Sequence, residues 1–190
     1  AEKNAEPYWT GSAFSGMPAY QLSAYYPNDF VRIIDRCIRF LPRPADYLFL
    51  YFLGFFFLLT ALKVDWKLAI LGSLSFGFST YLIIIFGAGH NAKAHAIGYM
   101  PFVLAGVLYV FQKRHLLGFI ITAIAMALEI YANHPQMTYY LGFCLLILGI
   151  VHLIDAFKSK TLPLFGKQVA ILLVALGIGL GVNSARLFSM

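Results

Sequence analysis

Six residues of this 190-residue chain are of types that do proton or charge chemistry and gather in three short stretches: His90, Lys93, His95, Glu129, His134 and Arg186. The stretches run 89–95 (Gly-His-Asn-Ala-Lys-Ala-His), 129–136 (Glu-Ile-Tyr-Ala-Asn-His-Pro-Gln) and 183–186 (Asn-Ser-Ala-Arg). Carboxylates and imidazoles are the usual general acids and bases, and Lys and Arg hold anionic oxygens. Asn133 follows Glu129 at i+4, so both share one side of a helix end. Pro135 suits the first position of a helix, leaving His134 or Asn133 as its cap beside Gln136. Asn91 can cap a second helix whose first turns carry Lys93 and His95. Two helix N-termini flanked by Lys93 and Arg186 favour an anion such as phosphate.

Other chemistries find less support in the spacing. His90 with His95, or either with His134 and Glu129, offers imidazole and carboxylate ligands to a metal, but no i, i+4 ligand pair is present and no residue is assigned as a ligand. No phosphate-binding glycine loop, Ser-His-Asp set or paired carboxylate is legible. Bis-histidine haem ligation needs imidazoles at matching depth within the spans, not at their ends. His115 and His152, at the opposite ends of their helices, read as interfacial residues without chemistry. Cys37 and Cys144 read as small packing residues, and Gly177, Gly179 and Gly181 as points of close helix approach.

The elements that position these residues follow from composition. The chain is 61% hydrophobic and 12% charged, with a mean hydropathy of +0.77, against roughly 45–50% apolar residues in a soluble domain. A span takes about 20 residues, which leaves no room for a separate soluble catalytic domain. The expectation is an all-α integral membrane protein, with an outer segment over 1–46 and a membrane region over 47–190. Residues 1–27 read as an ordered loop rich in Gly, Pro and aromatic residues. Over 28–41, Phe30, Ile34, Cys37, Ile38 and Leu41 recur at helical spacing opposite Asp29, Arg32, Asp35, Arg36 and Arg39. That predicts an amphipathic helix, lying in the membrane interface or packed on its own protein. Six spans follow, over 47–62, 68–89, 96–111, 116–131, 137–154 and 168–182. With Ala1 rather than Met first and no signal peptide ahead of the first span, the expectation is a fragment or processed product.

The loops set the orientation. Lys63, Lys67, Lys113, Arg114, Lys158, Lys160 and Lys167 fall in alternate loops, and the opposite set holds only Lys93 and Arg186. The first set is predicted cytoplasmic, so both termini and all three polar stretches lie on the outer face. The net charge of +6 is thereby a topological signal rather than a nucleic-acid one.

Three strings carry a family resemblance: WTGSAFSGMPAYQ at 9–21, GHNAKAHAIGYMP at 89–101 and ALEIYANHPQMTYY at 127–140. They resemble the YfhO family of bacterial polytopic membrane proteins, in its Bacteroidetes-like branch, and the resemblance spans nearly the whole chain. Members are much longer than this chain. The family is similar to the GT-C glycosyltransferases, and the resemblance implies a sugar taken from a polyprenyl-phosphate carrier and passed to a cell-envelope glycan or lipid acceptor outside the bacterial inner membrane. It implies that the outer cluster binds the donor: Lys93, His90, His95 or Arg186 against the leaving phosphate, Asn91, Asn133 and Gln136 elsewhere in the substrate site, and Trp9 and Tyr20 stacking on a sugar ring. Glu129 and His134 would be the catalytic pair, and a carboxylate would deprotonate the acceptor hydroxyl or hold a divalent metal. The early acidic residue of GT-C enzymes would lie upstream of Ala1, with only Glu2 and Glu6 as substitutes here. The rivals are a transporter or channel, which needs polarity near the midplane, and a structural subunit of a membrane complex. Mid-span polarity limited to Ser73, Ser75, Ser79, Thr80 and Thr122 favours a site at one surface.

Overall fold

The computed structural model describes residues 9–10, 17–18 and 29–187, and the backbone alone at 9, 10, 17, 18, 185 and 186. Two short strands, β1 (Trp9–Thr10) and β2 (Met17–Pro18), pair antiparallel with Trp9 opposite Pro18 and Thr10 opposite Met17. Everything described after them is helical: α1 (Phe30–Ile38), α2 (Ala45–Ala61), α3 (Trp66–Gly77), α4 (Thr80–Gly87), α5 (Asn91–Phe111), α6 (His115–Tyr131), α7 (Pro135–Lys158), α8 (Leu162–Val182) and the single turn α9 (Ser184–Leu187).

Three helices, α5, α7 and α8, are long and apolar enough to cross a membrane. The segment expected as one span over 68–89 is broken: α3 and α4 meet at a 42° bend and pass the same test only together. The break falls at Phe78 and Ser79, where Ser79 takes an extended backbone as the N-cap of α4. Helices α2 and α6 are apolar but have 17 residues each, which at 1.5 Å per residue is ~25 Å against a hydrocarbon core of ~30 Å.

Helix α5 forms the centre, with α6 as its most extensive partner and α2 on another side. Small residues let the α5 and α6 backbones meet. A Cβ at Gly106 would sit 2.8 Å from the Thr122 nitrogen, and one at Gly118 2.7 Å from the Gly106 carbonyl oxygen. The glycines expected to pack closely lie elsewhere: of Gly177, Gly179 and Gly181, only Gly179 approaches a neighbour, at Met126 and Ala127. Helices α7 and α8 turn long apolar faces outward, including Phe143, Ile147, Ile150, Leu173 and Ile178. Cys37 and Cys144 are exposed rather than packed inside.

Helix α1 is shorter than the expected 28–41. Asp29 caps it by accepting from the Arg32 amide, and Pro42 and Pro44 beyond its end cannot continue it. The side that faces the protein mixes both stripes: Val31 and Asp35 are buried and Ile38 packs on the core, while Phe30, Ile33 and Ile34 are exposed. Val31 joins Leu50, Tyr99, Ala127 and Leu128 in a core cluster under the helix.

Candidate functional site

The first turns of α5 organise the end of the bundle that carries the polar stretches. His90 is the N-cap of α5 and makes no side-chain cap bond, so Asn91, the expected cap, is instead the first helical residue and is exposed. From there the side chains of α5 divide between two faces, because residues two apart in a helix point about 200° away from each other.

One face carries Lys93, then Ile97, Met100, Pro101 and Leu104. The last four line an apolar groove of about 400 Å³, closed across by Tyr81 and Leu82 of α4, Phe55 of α2 and Tyr140 of α7. Lys93 is half-buried, and its Nζ stands 5.2 Å from the centroid of the Tyr81 ring at the groove wall, a cation–π distance. His134, the N-cap of α7, stands near it. Burial lowers the His134 imidazole below its ordinary value, and the neighbouring charges of Lys93 and His90 act in the same direction. His134 is therefore neutral at pH 7, and its buried Nδ1 has no hydrogen-bond partner among the described residues. Lys93 thus lies against the groove wall through Tyr81, and it and His90 stand within electrostatic reach of His134.

The opposite face carries His95 and Tyr99, and both reach Asp35 of α1. His95 Nε2 lies 2.5 Å from Asp35 Oδ1 and the Tyr99 hydroxyl donates to the same oxygen at 2.7 Å. Arg39 donates to both Asp35 oxygens, at 3.0 and 2.6 Å, and through its other nitrogen to Asp46 at 2.6 Å. Asp35 is 1% exposed and Asp46 3%. Burial alone would push the Asp35 carboxyl up, but the hydrogen bonds from His95 and Arg39 outweigh it and hold the group well below the usual carboxylate range. Burial alone would likewise weaken the Arg39 proton, and the two carboxylates, Asp35 foremost, more than reverse that. An ionised Asp35 can only accept, so in this bond His95 Nε2 carries the proton. The rings of Tyr47, Tyr99 and Tyr131 surround that imidazole, with centroids 5.9, 5.3 and 6.1 Å away.

Glu129 occupies a third position. It is fully buried on α6, and Thr138 of α7 donates to its carboxylate, 3.0 Å from each oxygen. Lys93 makes no ion pair with it among the described residues. Thr138 and His134 line one small cavity with Asn133 and Leu187. Asn133 is exposed, at the turn between α6 and α7 with φ 57°. Gln136 is exposed and donates to the Tyr140 hydroxyl at 2.9 Å. Arg186 lies on α9 and Trp9 in β1, but both side chains fall outside the described residues, as do Tyr20, Glu2 and Glu6 entirely. No group of three His, Cys, Asp or Glu side chains among the described residues is placed to hold a metal ion.

Sequence reasoning missed Asp35, Arg39, Asp46 and Tyr99, having put Asp35 and Arg39 on the polar side of an amphipathic helix. A signal was present: Asp35 and Arg39 are an i, i+4 pair on one helix, and His95 and Tyr99 an i, i+4 pair on another. No family model, no curated protein and no solved structure matches the chain.

Chemically, the Lys93 face offers two functions. The neutral His134 imidazole can accept a proton. Lys93, which lies against Tyr81 of the groove wall, can hold the phosphate of a lipid whose chain fills that groove.

Proposed function

We propose that the chain spans the membrane six times, with α3 and α4 as one broken span, and that it works as a glycosyltransferase on the extracytoplasmic face of a bacterial inner membrane. Its donor is a sugar carried on a polyprenyl phosphate, and its acceptor a hydroxyl of a cell-envelope glycan or lipid. The resemblance to the YfhO family points the same way. The observation that carries the reading is the apolar groove whose wall residue Tyr81 lies against Lys93. From Lys93 to Leu104 the stripe is ~16 Å long at 1.5 Å per residue, about half of the ~30 Å hydrocarbon core. A lipid of one leaflet has that reach.

In this mechanism the donor phosphate rests against Lys93 and the open N–H groups of α5, and the acceptor hydroxyl approaches on the same face, beside His134. The neutral His134 imidazole takes the proton of the acceptor hydroxyl while that oxygen bonds to the anomeric carbon. The bond from the anomeric carbon to the phosphate oxygen breaks, and polyprenyl phosphate leaves with the negative charge that Lys93 offsets. Asp35, kept ionised by Arg39, holds His95 and Tyr99 and so fixes α1 on the bundle. Glu129, held by Thr138, ties the first turn of α7 to α6. The test is photo-crosslinking with a polyprenyl phosphate that carries a diazirine in its chain. Labelling of α5 residues 97–104, displaced by excess polyprenyl phosphate and not by neutral polyprenol, is expected. Labelling that polyprenol displaces equally well would refute the phosphate site.

A further inference from the structure

The small cavity that His134, Thr138 and Asn133 line has a volume of about 220 Å³, and much of its wall is apolar, with Tyr139 of α7, Leu180 of α8 and Leu187 of α9. His134 and Thr138 are half-buried, and His134 Nδ1 is buried without a hydrogen-bond partner among the described residues. No described side chain of the lining is charged at pH 7. The cavity is separate from the groove beside Lys93. Successive helix residues point about 100° apart, and the groove takes Met137 and Tyr140 of α7 whereas the cavity takes Thr138 and Tyr139, so the two lie on different sides of that helix. From the cavity an exposed apolar stripe runs along one face of α7 through Tyr139, Phe143, Leu146 and Ile150. The Tyr139 and Phe143 rings meet edge to face, with centroids 4.7 Å apart. At 1.5 Å per residue the stripe covers ~16 Å, about half of the ~30 Å hydrocarbon core.

We infer that this cavity holds the acceptor, and that the acceptor is a membrane lipid with a free hydroxyl on a small uncharged headgroup, of the diacylglycerol kind, rather than a glycan. This assignment rests on the sugar-transfer reading and narrows its acceptor. The glycerol unit fills the cavity with its hydroxyl beside His134, and an acyl chain lies along Tyr139, Phe143, Leu146 and Ile150. At ~30 Å³ for a water-sized group the cavity holds roughly seven such groups, the size of a glycerol unit and not of a chain of sugars. A glycan end would press its hydroxyls on the Tyr139, Leu180 and Leu187 wall, where they lose water and gain no partner. The hydroxyl proton passes to His134 and its oxygen bonds to the anomeric carbon, as the bond from that carbon to the phosphate oxygen breaks. The products are a sugar-bearing glyceride and polyprenyl phosphate.

The test uses the full-length protein in vesicles with a diacylglycerol that carries a diazirine in one acyl chain. Labelling of α7 residues 139–150 is expected, displaced by excess diacylglycerol and left in place by polyprenyl phosphate and by phosphatidylcholine, which has no hydroxyl. Leu180→Asp, which puts a charge on the cavity wall, should lower that labelling at least tenfold, while labelling of α5 by the diazirine-bearing polyprenyl phosphate shows that the variant is folded. With a labelled polyprenyl-phosphate sugar in the same vesicles, the label should pass into diacylglycerol and not into an added water-soluble oligosaccharide. Displacement by polyprenyl phosphate or phosphatidylcholine as effective as by diacylglycerol would overturn the assignment. So would transfer to the oligosaccharide without any to diacylglycerol, which would leave the sugar-transfer reading intact. No release of polyprenyl phosphate with either acceptor would refute that reading and the acceptor with it.

Discussion

Replacing Asp35 with Ala should undock α1 from the bundle. The change removes the acceptor of four hydrogen bonds, from His95, Tyr99 and twice from Arg39, at a site 1% exposed. Removing one partner of a buried ion pair costs about 3–5 kcal/mol. The lower figure applies because Asp46 still holds one Arg39 nitrogen at 2.6 Å. For a chain of this size ~1 kcal/mol moves the unfolding midpoint by roughly 2–4 °C, so Asp35→Ala should lower it by about 6–12 °C. Arg36→Ala, at an exposed position of the same helix, should change stability by no more than about 0.5 kcal/mol. The pH dependence has a definite sign. The folded carboxyl is depressed below its ordinary value of 3.8, so its contribution is fully present above that pH and is lost as pH falls toward the folded value. The gap between wild type and Asp35→Ala should therefore stay constant from pH 7 down to about pH 4.5 and narrow in stronger acid. The assay is thermal unfolding in detergent micelles across that range. A midpoint within about 2 °C of wild type at pH 7 would mean that the Asp35 network does not hold α1 in place.

Other outcomes follow from the same packing. Gly106→Leu should destabilise the fold by several kcal/mol, since its Cβ would meet the Thr122 backbone at 2.8 Å and overpacking against backbone has no cheap relief. Gly177→Ala, where nothing lies within 4 Å, should be neutral or slightly stabilising through helix propensity; thermal unfolding of both checks the contrast. A cysteine introduced as Ser159→Cys should resist impermeant thiol reagents added to whole cells and react after permeabilisation. Reaction in intact cells would reverse the proposed orientation.

The long helices were legible because uncharged runs bounded by Lys and Arg mark where a chain enters and leaves an apolar phase. Pro135 at the start of α7 was legible for local reasons, one fixed φ and one missing amide, whereas the choice of His134 over Asn133 as its cap was not. The bend at Phe78 and Ser79 lay inside an uncharged run, where Ser75, Gly77, Ser79 and Thr80 were the only local signal and no charge marked the break. Amphipathic spacing located α1 within a few residues but could not say which stripe faces protein. Asp35 turned inward because His95, Tyr99 and Arg39 replace the water it gives up, and those partners sit up to 64 residues away in the chain. The glycines show the same limit: Gly106 and Gly118 matter because two particular helices meet there, whereas the denser run at 177–181 draws the eye and brings only Gly179 near a neighbour.

The account's central claim is tested most directly by sugar transfer from a labelled polyprenyl-phosphate sugar, with the full-length protein reconstituted in vesicles and its level checked alongside. An ammonium–phosphate contact in a partly dry site contributes about 1.5–3 kcal/mol, and each ~1.4 kcal/mol is tenfold. Lys93→Ala should therefore lower transfer roughly ten- to a hundredfold, and Lys93→Arg should retain part of it, because a planar fork replaces a compact ammonium. Transfer by Lys93→Ala equal to wild type, or no release of polyprenyl phosphate by the wild-type protein, would contradict the account.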